Sequence, residues 1–88
     1  MSRAAVQRIL ITGGAGFIGS ALARHLIDAT PHEVLVLDSL TYAASPAALA
    51  SIERAPKYHF AEVDIRDRAR LSKIVADFRP TWVSHLAA

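Results

Sequence analysis

The sequence predicts an α/β fold built on a parallel sheet, with four strands and three helices in the order β-α-β-α-β-α-β. Short apolar runs rich in β-branched residues recur along the 88 residues, of the length and continuity of strands buried on both faces. Between them lie segments with apolar residues at helical spacing. Strands separated by helices pair in parallel, because right-handed crossovers return each helix over the sheet. All 4 glycines, moreover, fall within one stretch, LITGGAGFIGS, at Gly13, Gly14, Gly16 and Gly19.

The first strand is RILIT, Arg8 to Thr12, which stops at glycine. In the helix that follows, Phe17, Ile18, Ala21, Leu22 and Leu26 form an apolar side and Arg24, His25 and Asp28 take the other. Thr30-Pro31 ends it, since the residue before proline is pushed out of the helical region. EVLVLD, Glu33 to Asp38, is the second strand. Ser45 offers an N-cap and Pro46 a first helical position for a short alanine-rich helix reaching about Arg54, closed by Pro56. In KYHFAEVD, Tyr58, Phe60 and Glu62 alternate with Lys57, His59 and Ala61, giving the third strand. Asp67 caps a helix whose Leu71, Ile74, Val75 and Phe78 fall at i, i+3, i+4 and i+7, and Arg79-Pro80 terminates it. TWVSHLAA is the fourth strand, and Trp82 and Phe78 read as core.

Composition narrows the function classes. The chain has the length of one small domain, 52% apolar and 20% charged, the balance of a chain that folds. It has no cysteine, which excludes disulfides and thiolate metal sites, and no pair of histidines has metal-site spacing. MSRAAVQR lacks the apolar core of a secretory signal, and no apolar run of about 18 residues exists, so a cytoplasmic protein without a membrane partner is expected. The net charge is +2, and the basic residues from Arg54 to Arg79 are interleaved with Glu62, Asp64, Asp67 and Asp77. A nucleic-acid surface needs basic side chains gathered on one face with few acids among them, so none is expected.

The chemistry is expected in the glycine stretch. Gly14-Ala15-Gly16-Phe17-Ile18-Gly19 fits G-x-G-x-x-G, and Gly13 extends it to G-x-x-G-x-x-G. It follows a strand and opens a helix, the context in which a backbone without Cβ atoms can turn tightly and approach a pyrophosphate. Gly19, one turn in, lets the helix pack closely on the first strand. The helix start adds N–H groups and a positive dipole end. Asp38 ends the second strand, where an acid accepts hydrogen bonds from ribose hydroxyls. It would repel a 2′-phosphate by about 4 kcal/mol per charge pair at about 4 Å and an effective dielectric near 20, favouring NAD over NADP. Asp64 and Ile65 arrive at the same edge from the third strand, where an aspartate can accept from an adenine amino group and Ile65 line the base; turn formation is the structural alternative. HLAA brings small residues to that edge from the fourth strand. His25 and His32 read as solvated, His59 and His85 as hydrogen-bonded structural residues.

TGGAGFIGS, VLDSLTYA, VDIRD and PTWVSHLAA together resemble the N-terminal part of the extended short-chain dehydrogenase/reductase family, from Ile9 to Ala88. Asp38-Ser39-Leu40-Thr41-Tyr42-Ala43 looks most like its dTDP-glucose 4,6-dehydratases; epimerases and decarboxylases of nucleotide sugars share the rest. The resemblance implies an incomplete Rossmann doubly wound sheet, strand order 3-2-1-4, binding NAD. Gly13, Gly16, Phe17 and Ile18 would lie at the pyrophosphate and Asp38, Ser39, Leu40 and Thr41 at the adenosine ribose. Asp64 and Ile65 would hold the adenine, and Leu86, Ala87 and Ala88 the central part. It further implies a nucleotide-sugar substrate and homodimers for full-length members. The family's Tyr-x-x-x-Lys pair is absent, since no lysine follows Tyr42 at that spacing, and so is the Asp-Glu pair that follows a threonine. These residues alone are therefore expected to be inactive. A non-catalytic NAD-binding module that pairs with another chain is the rival expectation.

Overall fold

The computed structural model describes residues 6–13, 16–39 and 46–86. Strands β1 (Arg8–Thr12), β2 (Glu33–Asp38), β3 (Tyr58–Glu62) and β4 (Trp82–His85) form one sheet in the order β3-β2-β1-β4. All three pairings are parallel, with Leu10 opposite Leu35 and Val83, and Val36 opposite Phe60. This is the 3-2-1-4 order expected from the sequence. The connecting elements are α1 (Phe17–Ala29), a 3-10 helix (Pro46–Ile52) and α2 (Arg68–Phe78).

The central strands β1 and β2 are covered on both faces, which is why they read as unbroken apolar runs. Ile9, Ile11, Val34 and Val36 pack with Ala23, Leu26 and Ile27 of α1 and with Leu49 and Ile52 of the 3-10 helix. Leu10, Leu35, Leu37 and Val63 pack on the opposite face with Phe78, flanked by Leu71, Ile74 and Val75 of α2. The alternation of side chains along each strand divides the core into these two halves.

Three expectations are corrected. The face of α1 turned to the sheet is Gly19, Ser20, Ala23, Leu26 and Ile27, while Phe17 and Ile18 are 90% and 68% exposed. Small residues face the sheet because the helix lies close on it; the large apolar pair belongs to the first turn, beyond the strand ends. The alanine-rich segment is a 3-10 helix ending at Ile52, two residues short of Arg54. A turn of three residues places Leu49 and Ile52 on one side, and both are buried. Trp82 is 54% exposed on β4, which is an edge strand of this sheet, and only Phe78 of the pair joins the core. The cap assigned to Ser45 lies outside the described residues.

The helix ends follow the sequence signals. Thr30 closes α1, its backbone N–H and hydroxyl both donating to the Leu26 carbonyl, and the Lys57 ammonium donates to the carbonyls of Ile27 and Thr30. Asp67 caps α2 by accepting from the Arg70 N–H at 3.2 Å. Arg79, ahead of Pro80, ends it in the left-handed conformation, φ 56°. At the N-terminal edge of the sheet the Arg8 guanidinium pairs with Glu33 at 2.6 Å, donates to the Phe78 carbonyl and lies over the Phe78 ring. His59 joins Glu33 at 3.1 Å, as expected for a structural histidine. His32, expected in solvent, accepts from the Gln7 N–H at 2.9 Å, because the turn after α1 brings it under the start of β1.

Substituting Asp67→Ala should cost about 0.5–2 kcal/mol through loss of one cap, and Leu37→Ala about 2–5 kcal/mol through a core cavity. Urea unfolding midpoints of the two variants, read at equal slope, measure both.

Candidate functional site at the C-terminal edge of the sheet

The first strand passes into α1 through Gly13, whose φ of 75° is the left-handed conformation that glycine alone adopts without strain. Its N–H donates to the Leu37 carbonyl at 2.7 Å and its carbonyl accepts from the Gly16 N–H at 3.2 Å, so the turn is tied to β2 and closed on itself. Gly16 is the N-cap of α1, and its carbonyl accepts from the Ser20 N–H at 2.9 Å. Being glycine it offers no capping side chain, and the first turn carries no acid, so among the described residues no side chain of the helix start neutralises its positive end.

Gly16 differs from Gly13 in what it requires. Its φ of −74° and ψ of 176° are extended backbone open to any residue. Among the described residues, a Cβ built there would meet only the Gly13 carbonyl oxygen, at 3.4 Å, an ordinary contact. Neither the backbone nor the packing of the described residues demands glycine at this position. The missing Cβ instead leaves room beside the helix start, in a cleft of about 310 Å³ lined by Gly13, Gly16, Phe17, Ile18, Gly19 and Leu86. Five of these are residues the family resemblance assigns to a pyrophosphate and to the middle of a dinucleotide; Gly19 was assigned only a packing role.

Leu86 reaches the cleft from the end of β4, its N–H donating to the Thr12 carbonyl at 2.9 Å. Beside it, His85 Nδ1 and the Thr12 hydroxyl are 2.5 Å apart, fixing the end of β4 to the end of β1. On the other side of β1, Asp38 ends β2 opposite Glu62, with its carbonyl accepting from the Val63 N–H at 3.1 Å. Ser39 follows, exposed. Leu40, Thr41, Ala87 and Ala88 lie outside the described residues.

Asp64 and Ile65 follow β3 on the same edge. Asp64 builds a turn there: Oδ1 accepts from the Arg66 N–H at 2.9 Å and the carbonyl from the Asp67 N–H at 2.9 Å. Its carboxylate also takes the Arg66 side chain, at 2.7 Å from the guanidinium to Oδ2. The Arg66 hydrogen bonds hold the Asp64 carboxyl down at about 2. Arg66 was not singled out from the sequence; an arginine two residues after an aspartate at a strand end was the available signal.

A parallel sheet with a glycine-cornered helix start and a row of strand-end acids at its C-terminal edge defines a Rossmann-type nucleotide-binding unit. The chain belongs to the NAD dependent epimerase/dehydratase family, whose model matches residues 9–88. It is 52% identical over 82 residues to a dTDP-glucose 4,6-dehydratase of Neisseria gonorrhoeae, an alignment covering 93% of this chain and 24% of the relative. The chain thus spans about a quarter of the length of the curated relatives it matches. Among solved structures, the dTDP-glucose 4,6-dehydratase of Bacillus anthracis in complex with NAD superposes with a TM-score of 0.87 at 30% identity, covering 91% of this chain and 26% of that one. A UDP-glucose-4-epimerase from Stenotrophomonas maltophila with bound NAD superposes with a TM-score of 0.79 at 33% identity, over 93% and 24% of the two chains. Among the described residues, no helix is long and apolar enough to cross a membrane.

Because the folded state holds the Asp64 carboxyl below its ordinary 3.8, this pair stabilises the fold above about pH 4, and the contribution is lost as pH falls through about 2. Carbon-detected NMR of the Asp64 carboxyl should show its midpoint near 2, returning to the ordinary range in Arg66→Ala.

Proposed function

We propose that this chain is the NAD-binding portion of a nucleotide-sugar dehydratase that acts on dTDP-glucose. The observation that carries the reading is the cleft at the start of α1, where Gly16 lacks a Cβ that neither its backbone nor its packing among the described residues excludes. Gly13, Gly16, Phe17 and Ile18 would seat the pyrophosphate on the uncompensated helix start. Asp38, Ser39, Leu40 and Thr41 would hold the adenosine ribose, Asp64 and Ile65 the adenine, and Leu86, Ala87 and Ala88 the central part of the dinucleotide. The order of strand ends across the edge, β3, β2, β1, β4, matches the order of adenine, ribose, pyrophosphate and nicotinamide side along NAD.

When bound, NAD supplies reversible hydride acceptance, used without net redox change by dehydratases of this type. The residues here bind and orient that cofactor. General acid–base catalysis needs a group within reach of the proton it moves, and the sequence contains neither the Tyr-x-x-x-Lys pair nor the Asp-Glu pair. The reading therefore assigns those groups and the sugar-nucleotide domain to a longer gene product, a cytoplasmic homodimeric lyase. The length of the relatives supports this assignment. The similarity to a 4-epimerase keeps one second reading, an epimerase of nucleotide sugars.

The test is to incubate the natural gene product with NAD and dTDP-glucose and follow the sugar by mass. Loss of one water is expected. Unchanged mass with inversion at C4 of UDP-glucose would make the protein an epimerase, and no turnover of either would remove the enzymatic reading.

Gly16→Ala should cost about 1 kcal/mol of stability or less, yet weaken NAD by roughly tenfold or more, because the added methyl group fills the approach to the pyrophosphate. Thermal unfolding and calorimetry on the same variant separate the two effects. Asp38→Ala should weaken NAD and relax the rejection of NADP; an unchanged NAD to NADP affinity ratio would remove Asp38 from the ribose.

A further inference from the structure

β3 is the outermost strand on its side of the sheet, and its hydrogen bonds to β2 decide which of its backbone groups face outward. The Lys57 carbonyl accepts from the Val34 N–H at 2.9 Å, and the Val63 N–H donates to the Asp38 carbonyl at 3.1 Å. Every second residue of a strand bonds to the same neighbour, so Phe60 and Glu62 turn their N–H and C=O groups away from β2. Tyr58, Phe60 and Glu62 share one face of the strand, and Tyr58 packs there with Leu49 and Ile52 of the 3-10 helix. On that face Leu49, Glu53, Tyr58 and Phe60 line a cavity of about 270 Å³, with Leu49 buried and Phe60 39% exposed. The Glu53 carboxylate is near enough to act on the Tyr58 hydroxyl, which burial first and that charge second push up to about 12. Among the described residues neither Glu53 nor Glu62 has an ion pair. Lys57 does not supply one, since its ammonium is held by the Ile27 and Thr30 carbonyls.

Two aromatic rings beside a carboxylate recognise a cation carried on an apolar stem. A planar guanidinium stacks on such rings better than an ammonium does, which makes arginine the fitting side chain. The cavity is smaller than the roughly 300–1,000 Å³ of small-molecule sites, and it opens beside backbone groups that a second strand can bond. We propose that the outer side of β3 docks an extended segment of a partner protein, whose backbone adds to the sheet beside Phe60 and Glu62 and whose arginine side chain enters the cavity between Tyr58, Phe60 and Glu53. Main-chain bonds hold the segment, and the cavity selects it by its arginine. The charges of Glu53 and Glu62 attract a basic segment and repel an acidic one. None of the residues named at this cavity lines the cleft at the start of α1, so docking here is independent of the NAD reading.

The experiment is fluorescence anisotropy of the natural gene product with a labelled Val-Thr-Arg-Thr-Val peptide, and with the same peptide carrying citrulline, which has the shape of arginine without its charge. The arginine peptide should bind more tightly by roughly fivefold or more. Glu53→Gln changes an exposed side chain and should erase that preference with the unfolding temperature unchanged. Phe60→Leu should weaken the arginine peptide and leave the citrulline peptide nearly as it was. Strand pairing uses every second N–H, so N-methylating alternate residues of the peptide should abolish binding in one of the two frames and spare it in the other. Equal binding of the two peptides by the wild type, or a preference retained in Glu53→Gln, would overturn the arginine site. Methylation with the same effect in both frames would overturn the strand addition, and a wild type that binds neither peptide would overturn the whole proposal.

Discussion

All four strands run in one direction, and most of the molecule follows from that. A parallel pair cannot be closed by a tight turn, so the chain must cross a face of the sheet before each new strand. The crossovers bring α1 and the 3-10 helix over one face and α2 over the other, and they bury Ile9, Ile11, Val34 and Val36 on one side and Leu10, Leu35 and Leu37 on the other. With both faces of the central strands occupied, the glycine turn and the strand-end acids meet at the edge where strands give way to loops. The common direction gathers Gly13, Asp38, Asp64 and Leu86 at the same edge, although they are spread across the sequence from position 13 to position 86.

The two edges of the sheet are built differently. At the N-terminal edge, Arg8, Glu33 and His59 satisfy one another, Phe78 lies under the arginine, and Thr81 accepts from the Arg8 N–H while donating to the Gln7 side chain. That network ties β1, β2, β3 and the approach to β4 together. At the C-terminal edge the first turn of α1 has neither a capping side chain nor an acid, and Phe17 and Ile18 stand largely exposed around it. One edge is closed on itself; the other presents a positive helix end and apolar walls to a ligand.

The fold was legible in the sequence because its signals are local. Arg8 to Thr12 and Glu33 to Asp38 are strands over the residues the apolar runs mark, and Thr30-Pro31, Asp67 and Arg79-Pro80 bound the helices as their chemistry requires. The misread positions are ones where tertiary placement decides. Phe17 and Ile18 fall at helical spacing with Leu22 and Leu26, and periodicity cannot tell an apolar residue facing the sheet from one facing a cleft beyond it. Small residues carried the sheet contact instead, and Gly19, Ser20 and Ala23 have too little hydrophobicity to announce it. Trp82 looks like core from its size, but on an edge strand it remains half exposed. In the candidate site, the positions legible in the sequence are those where glycine or an acid ends a strand. Arg66 was not, because its partner is set by a turn whose shape the sequence shows only as D-x-R.

The central claim is that the C-terminal edge holds one NAD molecule laid across the strands from β3 to β4. The measurement that tests it most directly is the crystal structure of the natural gene product with NAD bound. The pyrophosphate should rest on the Gly13–Gly16 turn, the adenosine ribose at Asp38, the adenine beside Asp64 and the nicotinamide side beyond Leu86. A dinucleotide bound with its adenine at the β4 end, or anywhere off this edge, would contradict it.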